Sequence, residues 1–101
     1  MELTFVDRIA IKSLIPERVN MIKGMLFRSI AQKVNFTPEE VTRHKLEEKE
    51  TIFNNIPETI DVVFEESELM VMKEIIDEMD KEGTIPFGLI DSYYKIKNTN
   101  V

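Results

Sequence analysis

The sequence predicts an α+β fold: a small, mostly helical single domain over residues 1–101, with an antiparallel β-hairpin between N-terminal and C-terminal helices. Three observations predict it. Ile60, Val62 and Phe64 fall on one side of Thr59–Phe64 at period two, with Thr59 and Asp61 on the other, as in a half-buried strand. From Leu69 the period changes: Leu69, Met72, Ile75, Ile76 and Met79 make one stripe on a helix. Phe36-Thr37-Pro38-Glu39-Glu40 is a strong helix start, with Thr37 as N-cap, Pro38 at the first position and Glu40 closing a capping box. A length of 101 residues suits one domain.

The first helix is expected over Leu3–Ile15, with Thr4 as N-cap and Asp7 three residues on. Its buried stripe is read as Val6, Ile9, Ala10 and Leu14, and Pro16 stops it. After a connection over Pro16–Asn20, a second helix is expected over Met21–Val34, burying Ile22, Met25, Leu26, Ile30 and Val34. The helix opened by Thr37 is short and ends near His44. Thr51-Ile52-Phe53 has strand character, and the turn cluster Asn54–Glu58 joins it to Thr59–Phe64 as a hairpin. A third short strand around His44–Glu48 is compatible with the pattern.

Acids at Glu65, Glu66 and Glu68 favour the start of the long helix, and Gly83 suits its left-handed C-cap. Thr84-Ile85-Pro86 opens the last helix. There Phe87, Ile90 and Tyr94 form one ridge, and Leu89, Tyr93 and Ile96 an adjacent one. Asn98–Val101 reads as a frayed tail. The expected core is Val6, Ile9, Leu14, Leu26, Ile30, Val34, Phe36, Ile60, Val62, Phe64, Leu69, Met72, Ile76 and Ile90.

Composition narrows the function classes. No Cys is present, so disulfides and cysteine metal sites are excluded, and a reducing cytoplasm is compatible. No apolar run approaches the ~20 residues that span a bilayer, so no membrane partner is expected. The opening MELTFVDR lacks a basic segment before an apolar stretch and is not read as a signal peptide. The single His44 cannot assemble a common zinc site and, between Arg43 and Lys45, reads as a surface residue. Gly24, Gly83 and Gly88 make no phosphate-binding loop, and Ser13, Ser29, Ser67 and Ser92 have no nucleophile context. Asp77 with Lys73 and Lys81 reads as ordinary pairing along an exposed helix. No constellation supplies nucleophile, base and oxyanion donor, so neither an enzyme nor a cofactor is expected.

The net charge of −6 is unevenly spread. Residues 1–37 carry +3, residues 38–82 carry −10 and residues 83–101 carry +1. Arg18–Lys33 contains no acid. Such a bipolar chain is suited to binding a protein partner or to self-association as a homo-oligomer. The candidate interaction surface is the acidic helix, through Glu66, Glu74, Asp77, Glu78 and Glu82.

Residues Ser29–His44, SIAQKVNFTPEEVTRH, resemble a DNA-binding helix-turn-helix. Small Ala31 lets helices approach, Asn35 suits the turn and Thr37 caps the second helix. That resemblance implies that Thr37, Glu39, Glu40, Thr42, Arg43 and His44 face a major groove, with the hairpin as a wing. Against it stand two acids opening the recognition helix, an acidic wing and a pI near 4.8, so nucleic acid is not the expected partner.

A second resemblance covers most of the chain. It rests on Leu3-Thr4, Asp7-Arg8, Leu14-Ile15-Pro16, Phe36-Thr37-Pro38-Glu39-Glu40, Phe64-Glu65-Glu66, Met79-Asp80-Lys81-Glu82 and Tyr94-Lys95. This order resembles that of short, uncharacterised proteins encoded by phages and prophages. The chain departs from them at Val19-Asn20, where a Gly-containing turn is usual, and at Phe53, where a Trp is common. The resemblance implies a phage setting, in the host cytoplasm or in the virion, and transfers no catalytic residue. The expectation is a non-enzymatic interaction protein that modulates a host factor or serves as a minor virion or assembly component. A winged helix-turn-helix regulator is the alternative.

Overall fold

Thr4 decides how the chain begins. Its hydroxyl accepts the Asp7 amide at 3.1 Å, and the Asp7 carboxylate accepts the Thr4 amide at 3.0 Å, closing the expected capping box. An N-cap has extended backbone, here φ −79° and ψ 172°. The residues before it therefore continue as a strand, not as helix. In the computed structural model, which describes residues 1–46 and 56–99, strand β1 is Glu2–Thr4 and helix α1 is Phe5–Lys12.

β1 pairs antiparallel with β2, Thr59–Asp61, with Leu3 opposite Ile60. The Val62 amide donates to the Met1 carbonyl at 2.8 Å and extends the ladder by one bond. The strand expected at Thr59–Phe64 is thus present in shorter form, but its partner is the N-terminal segment. The expected hairpin partner, Thr51–Phe53, lies outside the described residues. The third strand at His44–Glu48 is corrected at its start: His44 ends helix α3, Pro38–His44, and Lys45 caps it with a left-handed φ of 53°.

Helix α2 spans Met21–Val34, as expected, with the Asn20 side chain accepting the Lys23 amide at 2.9 Å. Helix α4 spans Glu66–Glu82 and ends at Gly83, whose φ of 68° is the left-handed cap that a Cβ would strain. A 3-10 turn at Phe87–Leu89 leads into α5, Ile90–Lys97. Asn98 and Thr99, expected to fray, are tied back: Asn98 Nδ2 donates to the Tyr94 carbonyl at 2.7 Å, and Thr99 Oγ1 to the Lys95 carbonyl at 2.9 Å.

These elements make a small α+β domain with five α-helices and one two-stranded antiparallel sheet among the described residues. Helix α4 packs against α2 and α5, and α1 packs against the same two helices and β1. The Cα radius of gyration, 13.7 Å, is close to the ~13 Å expected for a compact chain of this length.

The core gathers Leu3, Ile11, Leu14, Phe27, Ile30, Val34, Val62, Leu69, Met72, Ile76, Tyr93 and Ile96. The α4 stripe is as expected, with Ile75 and Met79 at its margin. Two helices are rotated relative to their sequence stripes. On α1, Phe5, Arg8 and Ile11 point inward while Val6 and Ile9 are half-buried. On α2, Phe27 replaces Ile22 and Met25, which stand 78% and 67% exposed. Leu26, Phe36, Ile60 and Phe64 are half-buried, and Ile90 is exposed. An apolar count assigns charged residues to the outside, so it could not place Arg8 on the buried face of α1.

Arg8 is 1% exposed. Nε donates to the Val34 carbonyl at 3.0 Å, and Nη2 to the Asn35 carbonyl at 2.6 Å. Nη1 and Nη2 grip both Glu40 oxygens at 2.7 and 2.9 Å. The guanidinium also lies 4.4 Å from the Phe36 ring centroid and 5.0 Å from that of Phe5. One side chain thus joins α1 to the end of α2, the connection and the start of α3. The two carbonyls belong to the last residue and the C-cap of α2, where a cation is favoured.

Removing the guanidinium leaves a buried carboxylate and the Val34 and Asn35 carbonyls without their donor. Arg8→Ala is expected to cost roughly 3–5 kcal/mol in urea denaturation, and Arg8→Met with Glu40→Met to recover part of that loss. A loss below about 1 kcal/mol for Arg8→Ala would show that α3 is held by other contacts.

Candidate functional site

The basic and acidic blocks of the sequence meet where α2 packs on α4. Helix α2 carries the acid-free stretch and lies against α4, which carries the acids. Lys33 Nζ sits 2.5 Å from Glu68 Oε1 and 3.0 Å from the Val63 carbonyl. Lys23 reaches Glu74 at 3.5 Å. On the other side of α4, Lys97 of α5 pairs with Asp77, and Lys73 donates to the Thr99 carbonyl. The pairing of Asp77 with Lys73 and Lys81 along its own helix is thereby replaced by pairing between helices.

The five candidate surface acids divide accordingly. Glu74 and Asp77 are exposed but have cationic partners on opposite flanks. Glu66, Glu78 and Glu82 are exposed and have no ion pair among the described residues. Arg18 and Arg28 are the cations of the basic stretch left without an ion pair among the described residues.

The helix-turn-helix residues are largely engaged within the fold. The Thr37 hydroxyl caps α3, accepting the Glu40 amide at 3.1 Å. Glu40 is buried on Arg8 and faces inward, away from any groove. Arg43 Nη2 reaches Glu58 at 2.7 Å. His44 corrects its reading as a surface residue: its side chain is 17% exposed, lies 3.1 Å from Glu58 and meets the Phe5 ring edge-on at 5.2 Å. Glu39 and Thr42 remain exposed, and with Pro38 and Arg43 they line only a shallow depression. Most of the supposed wing lies outside the described residues.

Three buried carboxylates escaped the sequence reading. Besides Glu40, Asp7 accepts Ser92 Oγ at 2.7 Å and Lys95 Nζ at 2.8 Å, joining α1 to α5. The neighbouring Tyr93 hydroxyl donates to the Ala10 carbonyl at 3.0 Å. Glu68 is 1% exposed and accepts the Glu65 amide at 2.7 Å as well as Lys33. Its Oε2 meets no donor in hydrogen-bond geometry, although the Ser29 hydroxyl acts on the carboxylate from α2. These partners lie far apart in sequence, so no local pattern announces them. Asp7 and Glu40, as acids at N3 after Thr4 and Thr37, carried a local signal, but their distant partners did not.

Electrostatics follows the geometry. The Arg8 hydrogen bonds dominate at Glu40 and, against the opposing effect of burial, hold its pKa at about 2. Burial is the largest influence at Asp7 and Glu68 and raises both. Hydrogen bonds from Lys95, Ser92 and Thr4 outweigh it at Asp7, and those from Lys33, Glu65 and Ser29 at Glu68, so both stay below the usual carboxylate range. Burial pushes the Tyr93 phenol up, with Ser13 partly opposing. Each shifted group is thus fixed between two elements of the fold. Among the described residues, no three His, Cys, Asp or Glu side chains are placed to share a metal ion.

A groove of about 340 Å³ runs between α4 and α5, lined by Ile76, Ile85, Ile90, Tyr93 and Tyr94, with Asp77, Asp80 and Lys97 at its edges.

The lowered carboxylates fix the acid response. Glu40 falls from 4.5 to about 2 on folding, so its contribution is present in full above the unfolded value and lost as pH drops through 4.5 toward 2. That difference corresponds to roughly 3 kcal/mol. Asp7 and Glu68 act in the same direction. Stability from urea titrations is expected to be flat from pH 8 to 6 and to fall below about pH 5. Glu40→Gln should flatten that fall, and an unchanged acid limb in this variant would contradict the assignment.

Compared with protein-family models, with curated proteins and with solved structures, the chain finds no match.

Proposed function

We propose that this is a non-enzymatic interaction protein whose acidic helix α4 engages a basic surface on a protein partner. The observation that carries the reading is the set Glu66, Glu78 and Glu82. They are exposed on a helix held from both sides, and they have no ion pair among the described residues. Unpaired carboxylates on a fixed helix steer a cationic partner and speed its association. Every carboxylate whose pKa is clearly shifted serves the fold, which leaves the surface as the place of action. In the phage setting that the resemblance implies, the partner is a host or phage protein, met in the host cytoplasm or at the virion. A partner that itself binds nucleic acid suits such a face, because the carboxylates then compete with phosphates for the same cations.

The helix-turn-helix reading has weaker support. Of its six groove-facing residues, Thr37, Glu40, Arg43 and His44 are engaged by other groups of the chain.

The decisive comparison is between the native chain and Glu66→Lys/Glu78→Lys/Glu82→Lys, each immobilised and exposed to lysate of a bacterial host. The native chain is expected to retain partners at low salt and release them at high salt, as screening predicts. The triple variant should retain none of them. Equal retention by both proteins would remove α4 as the contact. Duplex DNA at low salt should not shift with the native chain. A salt-steep shift abolished by Arg43→Ala would restore the DNA reading.

A further inference from the structure

Two apolar ridges of the chain stand outside its core. On the last helix and the turn before it, Phe87, Ile90 and Tyr94 are 90%, 44% and 70% exposed, while the adjacent ridge of Tyr93 and Ile96 is buried. Ile90 and Tyr94 of the exposed ridge line the α4–α5 groove, whose interior Ile76, Ile85 and Tyr93 make apolar. On α2, Met21, Ile22 and Met25 are 83%, 78% and 67% exposed. Met21 and Met25 share a face with Arg28 at spacings of four and three. Large apolar side chains scattered singly need no explanation, but clusters at helical spacing mark contact sites.

The two clusters complement each other in charge. Asp77, Asp80 and Lys97 line the groove; Asp77 is paired with Lys97, which leaves Asp80 as the groove's unpaired charge among the described residues. The methionine ridge is flanked by Arg18 and Arg28, neither ion-paired among the described residues. Unbranched Met side chains adapt to an irregular groove, and an amphipathic helix laid in an apolar groove is a recurrent mode of recognition.

One molecule cannot join its own two ridges. Lys23 fixes the start of α2 on one flank of α4 through Glu74, and Lys97 fixes α5 on the other through Asp77. The geometry points to a second copy: the N-terminal half of α2 from one molecule seats in the α4–α5 groove of the next. Arg18 and Arg28 then bring cations to the edge that Asp80 lines. Because the two surfaces differ, the contact is heterologous and propagates head to tail. It goes beyond the proposed function and shares with it only the premise that the molecule acts through its surface. The residues it uses are not Glu66, Glu78 or Glu82, so failure of either contact leaves the other standing.

Complementation tests it. Light scattering would follow the native chain from micromolar to near-millimolar concentration at low salt, together with a ridge variant, Met21→Glu/Met25→Glu, and a groove variant, Phe87→Glu/Tyr94→Glu. The substituted side chains are exposed, and circular dichroism verifies that both variants fold. The native mass should climb past that of two chains with concentration and fall back in high salt. Each variant alone should stay at the monomer mass of 11.8 kDa. Their equimolar mixture should reach the mass of two chains and stop, since only one intact ridge–groove pair forms. A native chain that stays monomeric throughout would overturn the proposal. So would a variant that self-associates like the native chain, or a mixture that stays monomeric.

Discussion

A guanidinium removed from water dictates much of this structure. Arg8 cannot shed its charge, so its burial is tolerable only where its donors are met. Glu40 meets it with both oxygens, and the carbonyls of Val34 and Asn35 take two further bonds. Those carbonyls are available because α2 ends at Val34, and Glu40 is in place because Thr37 starts α3 three residues earlier. A buried pair of this kind contributes more to uniqueness than to net stability, since apolar replacements of both partners are often tolerated. Here it sets the angle at which α3 leaves α2 by leaving the chain one arrangement that satisfies the cation.

The same logic governs the charge asymmetry. A linear count separates a basic first third from an acidic middle and suggests a strongly bipolar exterior. Folding lays α2 on α4, so that Lys33 meets Glu68 and Lys23 meets Glu74. Part of the asymmetry is thereby consumed in joining two helices. Glu68 shows how far this goes: its carboxylate is buried, yet Lys33 and the Glu65 amide keep it ionised against the cost of desolvation. What remains outside is a thinner set of charges, and these are the ones open to another molecule.

Local rules made much of the fold legible. The capping boxes at Thr4 and Thr37, the C-cap at Gly83, the bounds of α2 and the stripe on α4 are each written within four or five residues. What the sequence concealed depends on distant pairing. Glu2–Thr4 is too short to read as a strand, and only Thr59–Asp61 makes it one. The rotation of α1 follows from Arg8 having a carboxylate to bury against, and α2 turns Phe27 inward at the expense of Met25 because the bulkier ring fills the core. The acidic surface was readable as composition, but which acids remain unpaired was not, because Lys23 and Lys97 arrive from other helices. The outward ridge of Phe87, Ile90 and Tyr94 was visible as a ridge, whereas its orientation depended on Tyr93 finding the Ala10 carbonyl.

The joint between α1 and α5 has a consequence for how the chain reaches its fold. Asp7 waits for Ser92 and Lys95, which lie 85 and 88 residues away in sequence. β1 likewise waits for a strand that begins at Thr59. Helices α2 and α4 can nucleate from local contacts within microseconds, but the first helix and strand acquire these partners only after long loops close. Loop closure costs grow only with the logarithm of length, so the delay is kinetic more than energetic. Arg8 reaches Val34 and Glu40 across only 26 and 32 residues, so α1 can dock on α2 and α3 before its seams with α5 and β2 close. Until α5 arrives, Asp7 keeps its water and only the α5-facing side of α1 lacks its cover.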